Sequence, residues 1–317
     1  MVRFIIRRLL EAIPSFLGIC VFTFLLLHLV PGGPAEVAIG PHYSPARVAA
    51  VNRALGLNKP LYTQFGIWFW NLLHGNLGVS YSSNQPVLRM IGQALPHTLE
   101  LVVAAIIVSH VLAIVIGTVQ GYYANTWFDH AVTAVSFFFW SMPLFWLAIL
   151  VVLIFSINLG WFPSGGITNV TASHSGFGSY VAHTVLPAGT LVLATVASWM
   201  RYMRSSMVDA LVQDYVRTAR SKGLSELRVV FKHALRNSLL PLITLLGLSI
   251  PSLFGGALVI EEIFNYPGMG LLFWTSAFNR DYPVLLGITV IVGVLTIVGN
   301  LLADILYGLV NPRIQYR

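Results

Sequence analysis

Apolar residues run in six long blocks, roughly 9–30, 98–121, 131–157, 184–204, 238–260 and 283–310, separated by more polar segments. Each block is near or above the ~20 residues that a helix needs to cross a bilayer. Backbone groups in lipid must be satisfied within their own segment, so the blocks predict helices. The fourth block is the least apolar, diluted by Pro187 and by Thr and Ser residues. The pattern predicts an all-α membrane protein with six transmembrane helices in one continuous domain, 1–317.

Composition agrees with that class. Only 9% of the 317 residues are charged, whereas a soluble domain carries about a quarter. Cys20 is the only cysteine and lies within an apolar block, so no intrachain disulfide can form. Arg3, Arg7 and Arg8 precede the first block, as in a secretory leader. That block is longer than a leader's apolar core, has Glu11 and Pro14 near its start, and is followed by no small-residue cleavage site, so an uncleaved first helix is expected.

The net charge of +7 reports topology. Of the 18 Lys and Arg residues, 13 lie in the two tails and in the segments around Asn125 and 201–237, and 5 lie in the alternate loops. The positive-inside rule then places both termini and 201–237 in the cytoplasm, and 31–96 outside. Within 31–96, Ser44-Pro45 has the form of a helix start and Gly56 of a stop. A second stretch, 61–73, holds Phe65, Trp68, Phe69 and Trp70; it reads equally as a helix at the membrane interface or as a lid packed on helix ends. No aromatic–basic interleaving points to nucleic acid.

Much catalytic chemistry is missing. There is no phosphate-binding G-x-x-x-x-G-K-[ST], no G-x-S-x-G, no H-E-x-x-H and no C-x-x-C. The nine histidines are scattered, with no pair at the helical spacing of metal ligands. His110 lies mid-block and could touch a solute; a hydrogen bond between helices is the preferred reading. Glu11, Glu100 and Asp304 all lie near block ends, so no carboxylate stands out at mid-membrane as an ion-driven transporter or channel of this kind would need. A membrane-embedded enzyme has even less support.

The segment from Arg201 to Leu240 differs from the rest: it is polar, helix-prone and carries 8 of the 18 Lys and Arg residues. No Gly or Pro occurs from Ser205 to Ser221. Gly223 then breaks the pattern, and Ser225 with Glu226 can start a new helix. Arg217 and Arg220 share a helical face, with Tyr215, Val216 and Ala219 as a small apolar surface beside them. Such a segment makes a short charged knob; an ordinary positive loop is the alternative.

Residues 214–241, DYVRTARSKGLSELRVVFKHALRNSLLP, resemble the signature loop of inner-membrane permeases of the dipeptide/oligopeptide/nickel class of ABC importers. The resemblance extends to FIIRRLLEAIPSFLGI at the start, LVPGGP, HGNLGVSY, IEEIFNYPGMG, NRDYP and the closing DILYGLVNPRI. Arg217-Thr218-Ala219 stand where the wider superfamily has Glu-Ala-Ala before the glycine, and His233 to Arg236 replace its Ile-x-Leu-Pro; both departures are similar to the peptide/nickel subgroup.

The resemblance implies a type I ABC importer transmembrane fold and a permease subunit without catalytic activity of its own. It implies a second related permease, two ABC ATPases that hold ATP and Mg, and an external solute-binding protein. Asp214, Arg217, Thr218, Ala219, Arg220, Lys222 and Gly223 should form or flank the ATPase contact, small Ala219 allowing close approach and Lys222 meeting either partner, lipid or solvent. Dipeptides or oligopeptides are the implied solutes, with nickel complexes, glutathione or oligosaccharide as alternatives for the same architecture. Adjacent Glu261 and Glu262, at the outer end of the fifth block before a re-entrant or loop segment with Pro267, Gly268 and Gly270, could meet a cationic group at a translocation mouth. They could also hydrogen-bond internally or pair with Arg280, the preferred reading.

Overall fold

The computed structural model describes residues 2–29, 52–53, 56, 58–167 and 176–310. Helices dominate: α1 (Val2–Leu29), α2 (Leu61–Leu73), α3 (Val87–Tyr122), α4 (Trp127–Trp140), α5 (Leu144–Val151), α6 (Phe177–Leu211), α7 (Asp214–Ser221), α8 (Leu240–Ile263), α9 (Met269–Phe278) and α10 (Tyr282–Val310). A helical stretch, 226–238, joins α7 to α8 and contains a π-helical turn, Val229–Ala234. Among the described residues there is no strand, only a bridge between Val79 and Pro86.

Four helices among the described residues are long and apolar enough to cross a membrane, in α1, α3, α6 and α10. The third apolar block is not the single straight helix expected. It breaks between α4 and α5, with a 102° bend. Pro143 is the cause: it has no N–H to give to Phe139, so α4 ends and α5 restarts with Leu147 N donating to Pro143 O at 3.0 Å. Taken as one span, the bent pair brings the number to five. α8, 24 residues long, fills the fifth expected block, but part of its side chains lie outside the described residues. Pro187 does not interrupt α6, which runs for 35 residues. In the segment expected to be re-entrant or a loop, the residues after Gly268 form the short apolar helix α9.

The described residues gather into two compact units, one from Met1–His97 and Pro267–Val298 and another from Thr98–Tyr266 and Gly299–Arg317. In the first, the aromatic stretch forms α2 with the expected bounds and packs on α1. Phe24 lies 5.4 Å from Phe65 and 5.8 Å from Trp68, while Phe16 and Phe69 are 6.4 Å apart, centroid to centroid. Trp70 and Tyr62 on the same helix remain exposed. Gly56 has φ +68, as a helix stop requires, while Ser44 and Pro45 lie outside the described residues. Leu77, Val87, Ile91, Met269, Val284 and Ile288 belong to the unit's core.

Asp281, fully buried, anchors the loop before α3. Its carboxylate accepts Ser80 Oγ at 2.5 Å, Ser82 Oγ at 2.7 Å and the backbone N–H groups of Tyr81 at 3.0 Å and Ser82 at 3.2 Å. Burial, followed by the nearby Asp281 carboxylate, pushes the Tyr81 hydroxyl up to about 12.

In the second unit, α3 and α6 approach closely where Gly117 leaves no side chain on α3. A Cβ on Gly117 would lie 2.7 Å from that of Met203. Ser109 and Thr195 hydroxyls bond across the same pair of helices at 2.9 Å. α4 is tied in by a two-pronged ion pair, Arg204 Nε to Asp129 Oδ1 at 2.6 Å and Arg204 Nη2 to Asp129 Oδ2 at 2.5 Å. Gln120 of α3 completes the node, donating to Thr133 Oγ1 at 2.8 Å.

Candidate functional site

The polar segment folds as a knob at the end of α6. Past Leu211, Val212 stays near helical and Gln213 turns extended, which redirects the chain into α7 with Asp214 in its first turn. The exit is a Schellman closure: Gly223 N donates to Arg220 O at 2.9 Å and Leu224 N to Ala219 O at 3.4 Å. Gly223 takes φ +75, where a β-carbon is strained. Ser225 stands at the expected start of the next helix, though its side chain makes no capping bond. Arg220 Nε reaches Glu226 Oε1 at 2.8 Å and staples the turn from outside.

The knob has two faces. Val216 and Ala219 are buried, packed with Met207 and Ala210 of α6 and with Val229, Val230 and Ala234 of the π-helical turn. Ser238 Oγ adds a bond to Ser206 O at 3.2 Å. Ala219, expected to permit close approach of a partner, therefore holds the knob to its own bundle. The outward face carries Asp214, Tyr215, Arg217, Thr218, Arg220, Lys222 and Gly223. Asp214 and Arg217 side chains are 98% and 71% exposed and 3.8 Å apart, too loosely paired to neutralise one another. The structure thus brings together all seven residues singled out in the segment, with Ala219 turned inward.

The remaining candidates lie elsewhere. His110 bonds the carbonyl of Ile106 on its own helix at 3.0 Å, and its ring lies 3.8 Å from that of Trp199, so it joins α3 to α6 by packing. Glu261 is fully buried whereas Glu262 is exposed. Successive helical residues point about 100° apart, so these two carboxylates face different surroundings. The pattern of apolar blocks did not reveal the Asp129–Arg204 pair or the Asp281 anchor. Nor did it reveal the bond from Tyr180 Oη to the Glu100 carboxylate.

Residues 111–316 match the family of the binding-protein-dependent transport system inner membrane component, and residues 1–102 match the N-terminal part of the same kind of membrane component. The chain belongs to this family. It is 43% identical over 317 residues to the oligopeptide transport system permease protein AppB of Bacillus subtilis, with all of each chain covered. It is 40% identical to the di/tripeptide transport system permease protein DppB of Pseudomonas aeruginosa and 37% identical to the dipeptide transport system permease protein DppB of Escherichia coli K12, again covering both chains completely. The chain is a transmembrane subunit of an ABC importer in the bacterial inner membrane. As a permease component it carries no catalytic function; ATP hydrolysis belongs to separate subunits of such a system.

Proposed function

We propose that this permease moves dipeptides or oligopeptides, and that its knob receives the stroke of an ATPase subunit. The peptide reading is supported by full-length similarity to relatives whose names specify oligopeptide, di/tripeptide and dipeptide transport. The coupling reading is carried by the two-faced knob, whose inner face is closed on itself while its outer face offers Asp214, Arg217, Thr218, Arg220, Lys222 and Gly223.

In this reading the chain has six spans with both ends in the cytoplasm and forms a single permease domain. It pairs with a second, related permease, with two ATPases that bind ATP and Mg, and with an external binding protein. ATP-driven closure of the ATPases moves the knobs, and the helices rock between outward- and inward-open states. Differential binding of ATP supplies the free energy that shifts those states.

The complete transporter in vesicles tests both parts. ATP-dependent uptake of a labelled dipeptide should require the binding protein, and Arg217→Cys should cross-link to an ATPase subunit. Capture of nickel complexes, glutathione or oligosaccharide in place of peptides would redirect the solute reading. A cross-link confined to lipid or to the second permease would sink the coupling reading.

A further inference from the structure

Between α4 and α6 lies a cavity of about 290 Å³ with one unbalanced charge. Asp129 and Arg204 both line it but neutralise each other; Asp129 Oδ2 also accepts the backbone N–H of Asn125 at 2.7 Å. Arg201, also on its wall, pairs with no carboxylate among the described residues. Its guanidinium carbon stands 5.6 Å from the centroids of Trp140 and Tyr202, which orient the group without discharging it. Thr133 also lines it and, accepting from Gln120, keeps its own hydroxyl hydrogen to give, whereas Ser136 and Ser198 donate theirs to the carbonyls of Val132 and Thr195. The cavity is therefore net positive and equipped to bond oxygen acceptors.

Phe137 is a wall of this cavity and also of a second, open cleft of about 490 Å³ at the α4–α5 break. Met142, Pro143 and Trp146 line that cleft, and it holds no charged residue. A cationic chamber thus adjoins an apolar trough. Exposed Tyr122, Tyr123 and Trp127 lie at the start of α4, beside Asp129, and mark that end of the cavity as the level of the bilayer interface, with the cleft beyond the other end of α4. A ligand that satisfies both parts is an anion bearing a hydrocarbon chain.

We propose that the site binds an anionic phospholipid, with Arg201 on the phosphate and an acyl chain along Phe137 into the cleft at Pro143. Basic pockets between helices near the membrane surface suit such headgroups. Nothing in this reading depends on what docks at the knob.

The test uses the whole transporter in mixed micelles with equal phosphatidylglycerol and phosphatidylcholine, counting retained lipid by native mass spectrometry. The wild type should retain phosphatidylglycerol preferentially. Arg201→Gln should reduce that preference by about fivefold, the worth of one basic side chain at an anionic surface, while Arg201→Lys keeps much of it. Ser198→Leu, which fills the chamber and leaves the charge, should also lower retention. An unchanged lipid ratio in both Arg201→Gln and Ser198→Leu overturns the proposal. So does displacement of the lipid by a peptide with a free C-terminal carboxylate but not by its amide, which would make the chamber part of the solute path.

Discussion

Gly121 lies so close to Met207 that a Cβ built on it would stand 2.7 Å from the methionine's Cβ. Met207 is at the same time part of the apolar core behind α7. One residue therefore touches both the knob and α3, and it gives a displacement of the knob a direct contact through which to act at Gly121.

Gly121→Val should overpack this seam at a cost of about 1–3 kcal/mol. Uptake per ATP hydrolysed should fall more than the amount of assembled protein. Paired measurement of hydrolysis and uptake in vesicles decides it; an unchanged ratio would show that the seam is only structural.

Gly223→Val forces a β-branched residue into the left-handed region at φ +75 and breaks the Schellman turn, a strain of at least 1–2 kcal/mol in order of magnitude. Membrane insertion should be normal and transport absent. Normal uptake at wild-type protein levels would count against a shaped knob.

Asp129→Asn removes one partner of a largely buried ion pair and leaves Arg204, 29% exposed, without its counter-charge. A loss of roughly 3 kcal/mol is expected. Replacing both residues by apolar ones of similar size should recover most of it. Thermal unfolding of the purified transporter provides the comparison.

Asp281→Asn removes the carboxylate that accepts two hydroxyl and two backbone bonds from Ser80, Tyr81 and Ser82. Hydrogen exchange in that loop should speed up. The Tyr81 hydroxyl, raised to about 12 mainly by burial and then by Asp281, should titrate lower but remain above the usual tyrosine value. Because the folded value is raised, the associated stability is complete below about pH 10 and is lost as pH climbs towards 12. Ultraviolet titration of wild type against Asp281→Asn, with Tyr81→Phe as reference, isolates the group.

Long apolar runs were enough to place α1, α3, α6 and α10, because each helix is specified by its own residues. The knob was legible for a similar reason: Gly223 and the unbroken stretch before it are local signals. The α4–α5 bend was missed although Pro143 is in plain view, since an apolar run hides a turn that buries no polar residue. Asp129 and Arg204 are 75 positions apart, and no local pattern announces such a pair. Val216 and Ala219 could be read as an apolar surface, but not as one covered by α6 and the π-helical turn, because a local pattern shows that a face is apolar and not what covers it. The divergence of Glu261 and Glu262 could have been foreseen from helical geometry alone.

Because five buried side chains of α6 and the π-helical turn close over Val216 and Ala219, the outward positions Arg217, Thr218 and Lys222 carry little folding responsibility. Substitutions at Arg217, Thr218 or Lys222 can then accumulate at little thermodynamic risk. If the knob is where the motor subunit docks, as proposed, compatibility with that subunit becomes a trait that evolves separately from the membrane scaffold, as an interchangeable fitting on a fixed machine.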